Sequence, residues 1–170
     1  MTLLALPMFI VGAVSEYDRL TVQDPVWLRI LESIRTKMAA IDGVLWAEFY
    51  DGALPITGRS FPGIFIMENG NAHLQDLACH TSVEEMTIRI GGLQRIPKET
   101  KAKSRWREFI WKLERQIEET VRANTQWDEL ARFTTIESRQ IHEPAEGLAS
   151  CTVTIKVTYG TAQNDLTIPA

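Results

Sequence analysis

Two cysteines in a 170-residue chain, Cys79 and Cys151, are too few for a disulfide framework and cannot make a four-cysteine zinc site. Ten glycines and seven prolines are far from a collagen-like or low-complexity composition. No apolar run is long enough to span a bilayer. A surplus of one charge is missing too. The 22 acidic and 18 basic residues leave a net charge of −4, whereas a dedicated nucleic-acid binder usually reads strongly basic. What remains is 19.3 kDa with 45% hydrophobic and 24% charged residues, enough for one ordinary domain and thin for two.

The first twelve residues are almost wholly apolar, and the first Lys or Arg is Arg19. A secretory signal starts basic, so residues 1–23 read instead as an arm buried against its own domain or a neighbouring subunit, since a free apolar end invites aggregation. Residues 24–161 then form a single domain and 162–170 a C-terminal tail. No repeat or Gly/Ser linker divides it.

Asp24-Pro25 predicts a helix start, with Asp24 as cap and proline at the first helical position. Leu28, Leu31, Ile34 and Met38 follow at helical spacing, and Gly43 closes the segment. Val44 to Tyr50 predicts a strand and 51–63, rich in Gly and Pro, a loop. Ile64 to Met67 reads as a short central strand, with Asn69-Gly70-Asn71 turning the chain after it. Residues 72–82 show no clear period. A third strand passes through Met86, Ile88 and Ile90, and Gly91-Gly92 reads as a bend that ends it.

Trp106, Phe109, Ile110, Leu113, Ile117 and Val121 make one stripe of a helix over 104–123, capped at Ser104 and with Glu114 among the charges of the other side. Phe133 to Ile141 predicts a strand and 143–147 a turn. Cys151, Val153, Ile155, Val157 and Tyr159 then alternate with Thr152, Thr154, Lys156 and Thr158, so this strand has one apolar and one polar face, the latter meeting water or a polar partner. The fold class is α+β: a mostly antiparallel five-stranded sheet flanked by two main helices, in the order α-β-β-β-α-β-β.

Phosphate loops, dinucleotide fingerprints, nucleophile elbows and zinc-protease helices are all absent. His73, Cys79 and His80 lie within eight residues, with His142 distant, but their spacing fits no common ligand pattern. An ordinary buried cysteine beside surface histidines is the simpler account. Glu84 with Glu85 and Glu118 with Glu119 are sequence neighbours that point apart, so neither is an acid/base dyad. The charge that stands out is local. Residues 95–107 carry Arg95, Lys98, Lys101, Lys103, Arg105 and Arg107 against Glu99, a net of +5, while 1–94 sum to −5 and 108–170 to −4. Such a cluster on an acidic body suits phosphate or an acidic partner surface, or is simply a solvated loop. Trp111 falls off the stripe of the second helix, which points to cover on two sides or to a contact with another chain.

The helix followed by Ile41-Asp42-Gly43-Val44, the strand Phe61 to Ile66 after a loop, the helix at 104–123 and the closing strand from Cys151 to Thr161 resemble the tail terminator (tail completion) proteins of tailed bacteriophages, the family that includes minor tail protein U. The resemblance spans roughly residues 24 to 161. It implies a structural virion protein of the tail and neck whose copies form a hexameric ring. That ring caps the tail tube, stops its polymerisation and offers a docking surface to the head-to-tail connector, while genome DNA passes through without being read. It implies no catalytic residue, no cofactor, no metal and no membrane. Under it Arg95, Lys98, Lys101, Lys103 and Arg105 become candidates for lining the channel or touching an acidic partner. Trp111, Thr152, Thr154 and Thr158 become candidates for inter-subunit contact. Another neck component, or a small enzyme or ligand-binding module using His73, Cys79 and His80, are the alternative readings.

Overall fold

The computed structural model describes residues 24–50, 58–77, 81–96, 105–162 and 165–169. Its elements run α1 (Val26–Ala39), β1 (Ala47–Phe49), β2 (Gly63–Leu77), β3 (Thr81–Arg95), α2 (Trp106–Ala123), β4 (Phe133–Ala145), β5 (Leu148–Ala162) and β6 (Asp165–Pro169). Among the described residues the α+β class and the two helices are as expected, but the sheet has six strands, because β6 forms within the segment read as a tail.

The sheet order is β1-β2-β3-β5-β4, with β6 on the edge of β5 beyond the end of β4. Among the described strands only β1 and β2 are parallel. Their connection over 50–62 has about the dozen residues that a parallel crossover requires. β3 and β5 pair along their whole length, from Thr81 opposite Ala162 to Arg95 opposite Leu148. The β4–β5 hairpin turns on Glu146-Gly147, where both residues have positive φ and glycine relieves the second.

Both helices pack on one face of the sheet. Ile30, Ile34 and Met38 from α1 and Ile110, Leu113, Ile117 and Val121 from α2 meet Ile66, Ile88, Ile90, Val153, Ile155 and Val157, all fully or almost fully buried. Each such side chain contributes about 1.5–3 kcal/mol when removed from water, so this two-layer contact holds the fold. The alternation expected for Cys151 to Tyr159 is present, every apolar member being buried.

Several local expectations are corrected. Pro25, not Asp24, occupies the cap of α1, and Arg105 that of α2; Ser104 lies outside the described residues. β2 does not turn at Asn69-Gly70-Asn71. It continues to Leu77, absorbing the extra residue as a bulge between Glu68 and Gly70, where Gly70 has φ 127°. Gly91-Gly92 does not end β3 but lies inside it, because the Phe65 ring crosses Gly91 and Leu113 presses on Gly92. β4 runs on through Pro144, which sits in a bulge of a strand whose outer edge has no partner among the described residues, the place where a missing N–H does least harm.

Candidate functional site

The residues first singled out for chemistry do not assemble. His73 in β2 pairs with Glu84 near the free end of the β2–β3 hairpin, whereas His142 in β4 pairs with Ser150 near the opposite end of the sheet. Nine residues of β3 separate those levels, about 30 Å at the rise of a strand. Cys79 and His80 lie outside the described residues. Among the described residues no group of three or more His, Cys, Asp or Glu side chains could hold a metal ion, and no helix is long and apolar enough to cross a membrane.

His73 has a structural employment. Its Nδ1 lies 3.0 Å from Glu84 Oε1 and its Nε2 3.5 Å from Asp76 Oδ1, while Ser82 donates to Asp76 at 2.9 Å. The hydrogen bond to Glu84 raises the affinity of the imidazole for its proton. These contacts tie the two strands together where residues 68–76 are exposed on both faces and no core does so.

Cys151 is free and buried under α2. Burial pushes its thiol up to about 12, with the Glu114 charge adding to the effect and a backbone bond from Gly92 opposing it. A thiol so placed carries no thiolate at neutral pH and is no nucleophile. In a Cys79→Ser variant at pH 8, a thiol reagent is expected to label nothing until urea unfolds the chain; fast labelling of the native protein would refute the burial. Because the folded value exceeds that of the unfolded chain, about 8.5, this group's share of stability is intact below that pH. It is lost as pH rises toward 12. Burial likewise raises the Tyr159 phenol, so the two act together in alkali.

The basic segment is only partly described, Lys98, Lys101 and Lys103 lying outside. Its described arginines are engaged. Arg95 stacks on Phe61 at 5.4 Å and Arg107 on Trp106 at 5.3 Å, while Arg105 Nε donates to Glu108 at 2.9 Å. Glu108 stands one residue past the segment counted from sequence, and its bond to Arg105 lowers its own pKa. Arg105 is therefore half of an ion pair rather than a bare cation.

The sheet face away from the helices carries the threonine row. Thr152 and Thr154 are half-buried there, but Thr158 is 4% exposed and so is not available to a neighbour, which corrects its candidacy as a contact residue. Lys156 bridges Glu85 on β3 at 3.3 Å and Glu137 on β4 at 3.5 Å, and Arg89 projects beside them. No helix of the described residues covers this face. Its middle is polar, and Phe65, Met67, Val83, Leu93 and Phe133 are apolar members toward its ends, Val83 and Leu93 being buried.

Helix α2 departs from its simple stripe at two positions and follows it at a third. Phe109, expected inside, is 44% exposed; Glu114, expected outside, is 5% exposed; Trp111 is 65% exposed, as its place off the stripe predicts. Glu114 is tolerated because Arg139 of β4 reaches it at 3.9 Å, though desolvation still raises its pKa. Arg139 also binds Glu118 at 2.5 Å, and Glu118 takes Arg122 at 2.7 Å, so its pKa falls. This network fastens α2 to β4 beside Trp111.

On the other flank of α2 a cleft of about 420 Å³ opens between the helix and the α1–β1 turn, walled by Pro62, Phe109 and Leu113 and lined also by Asp42, Gln94, Gln116, Glu108 and Lys112. Gln116 donates to the Asp42 carbonyl at 3.3 Å along its edge. Sequence reasoning missed this cleft. Its one signal was Phe109, at the margin of the apolar stripe.

No model of a known protein family matches this chain, and no curated protein matches it.

Proposed function

We propose that the chain is a structural virion protein of the tail terminator type, whose copies join in a ring on the end of a phage tail tube, halt its growth and offer the head-to-tail connector a docking surface. The observation that carries this reading is the sheet face away from the two helices. Among the described residues no helix covers it, and its middle presents Thr152, Thr154, Lys156, Arg89, Thr135 and Gln140, suited to a hydrated channel or to a polar neighbour. The order of elements supports it, as does an exposed Trp111 held on a helix braced by ion pairs. Arg95 and Lys98 to Lys103 are then candidates for the channel wall, where contact with passing DNA would be directed at phosphate and sensitive to salt.

The test is the mass of the purified chain in solution, by light scattering across a concentration series with and without tail tubes, with negative-stain images of each species. Six-membered rings, alone or seated on tube ends, are expected. A chain that stays monomeric and ignores tail tubes overturns the reading.

A further inference from the structure

Helix α2 buries one stripe and leaves two flanks open, and the flanks differ in shape. Trp111 stands out from one. Phe109 and the cleft occupy the other. Two residues at about 100° each set Trp111 and Phe109 some 160° apart around the axis, so the tryptophan cannot reach the cleft of its own chain. The cleft continues, through Asp42 and Gln116, into a second hollow of about 360 Å³ against Ile41 and Glu119.

We infer that Trp111 of one copy seats in the α2 cleft of the next, and that this contact is the joint between copies of this chain. The inference deepens the ring reading and rests on it for the closing of the joint into a ring. Three observations favour a second copy as occupant. The cleft's 420 Å³ lies within the range of sites that enclose small organic groups, so an indole has room. Its make-up suits that group: Pro62, Phe109 and Leu113 offer apolar walls to the ring, while Asp42 and Gln116 offer acceptors to its N–H. Charge favours it too. Arg107, one turn before Trp111, has no carboxylate within ion-pair distance among the described residues, and the cleft carries two acids, Asp42 and Glu108, against one cation, Lys112. Docking brings Arg107 to this acidic rim.

Knob and cleft on opposite flanks of one helix make a heterologous contact, head to tail, which repeats until rotation closes it. An isologous pair would need the same patch on both partners. Trp111 is exposed, and α2 is pinned behind it by Glu114, Glu118 and Arg139. The joint thus has a rigid anchor and a preformed socket, the usual condition for a tryptophan to dominate an interface.

The test mixes two variants of the full chain. Trp111→Ala removes the knob, and Gln116→Trp fills the cleft from its half-buried rim. Circular dichroism and thermal melting establish that both are folded. Each alone is expected to associate at least about thirtyfold more weakly than the wild type, the effect of losing a buried anchor. Mixed in equal amounts, the intact knob of Gln116→Trp enters the intact cleft of Trp111→Ala, and assembly stops at two chains, one of each kind. Rings that persist in Trp111→Ala overturn this joint and leave the ring reading standing. A mixture that stays monomeric overturns it as well. A wild-type chain that is monomeric at every concentration overturns the joint, and its separate binding to tail tubes then decides the ring reading.

Discussion

Gly92→Val is expected to cost about 3 kcal/mol of folding stability and lower Tm by roughly 10 °C, the upper part of the range for overpacking a core in a chain of this size. Gly92 faces the helices from the middle of β3, opposite Ile64 and Cys151. A Cβ there would come within 2.8 Å of both Cys151 Sγ and Leu113 Cδ2. Neither can withdraw, since Cys151 is fully buried and Leu113 is 3% exposed. The helix must lift, and with it the Glu114 to Arg139 contact. Gly91, its neighbour, makes the control. A Cβ at 91 would meet the Phe65 ring at 2.0 Å, a closer clash on paper. Yet Phe65 lies half-exposed on the uncovered face, and its ring can swing into solvent. Gly91→Ala is therefore expected to cost only about 1 kcal/mol, the lower end of the same range. Urea melts of the two variants check the order, and equal losses would refute the account of what lies on each face.

The contrast at 91 and 92 also marks what the sequence could convey. Two glycines after an apolar run look like a bend, because glycine is what bends use. Only the strand opposite and the helix above reveal that both are there for close approach, one on each face. The last strand, by contrast, is legible throughout. Burial under the helices imprints a period of two in residue type from Cys151 to Tyr159. β2 fails for the converse reason. From Glu68 to Asp76 it is exposed on both faces, so no burial imposes a pattern, and Asn69-Gly70-Asn71 reads as a turn when it is a bulge.

Helix α2 shows the same division in a single element. Ile110, Leu113, Ile117 and Val121 follow from periodicity. Glu114 does not, since its burial depends on Arg139, twenty-five residues on and across the fold. The cleft is less legible still. It exists because Asp42, just after α1, comes to rest against Gln116, and a contact at a sequence separation of 74 leaves no trace in local pattern. Trp111 was legible as an exception to the stripe, and the socket inferred for it was not.

Trp127→Ala is expected to cost about 3–5 kcal/mol, whereas Glu129→Gly two positions on should add about 0.5–1 kcal/mol. Trp127, Asp128 and Glu129 have φ of 44°, 59° and 65°, three successive left-handed residues without a glycine. Each such residue costs on the order of 1–2 kcal/mol, so something must impose the turn. Trp127 does so from the core, where it is 1% exposed and its Nε1–H donates to Thr134 Oγ1 at 2.8 Å, which in turn donates to the Thr125 carbonyl. Asp128 does so from outside, accepting from Ser33 at 2.7 Å and pairing with Lys37 at 3.0 Å. The Ser33 bond, then Lys37, lowers the carboxyl's pKa, so its support for the turn is present at neutral pH and lost as pH falls through that depressed value. Glu129 is exposed and has no hydrogen bond or ion pair among the described residues. It therefore bears the backbone strain with no compensating contact, and glycine relieves it at only the entropic cost of a looser unfolded chain. Asp128→Gly relieves the same strain but forfeits Ser33 and Lys37, and should come out no more stable than the parent. Denaturant midpoints for the three variants decide the matter: a destabilised Glu129→Gly would mean that the turn is held by that side chain and not by its neighbours.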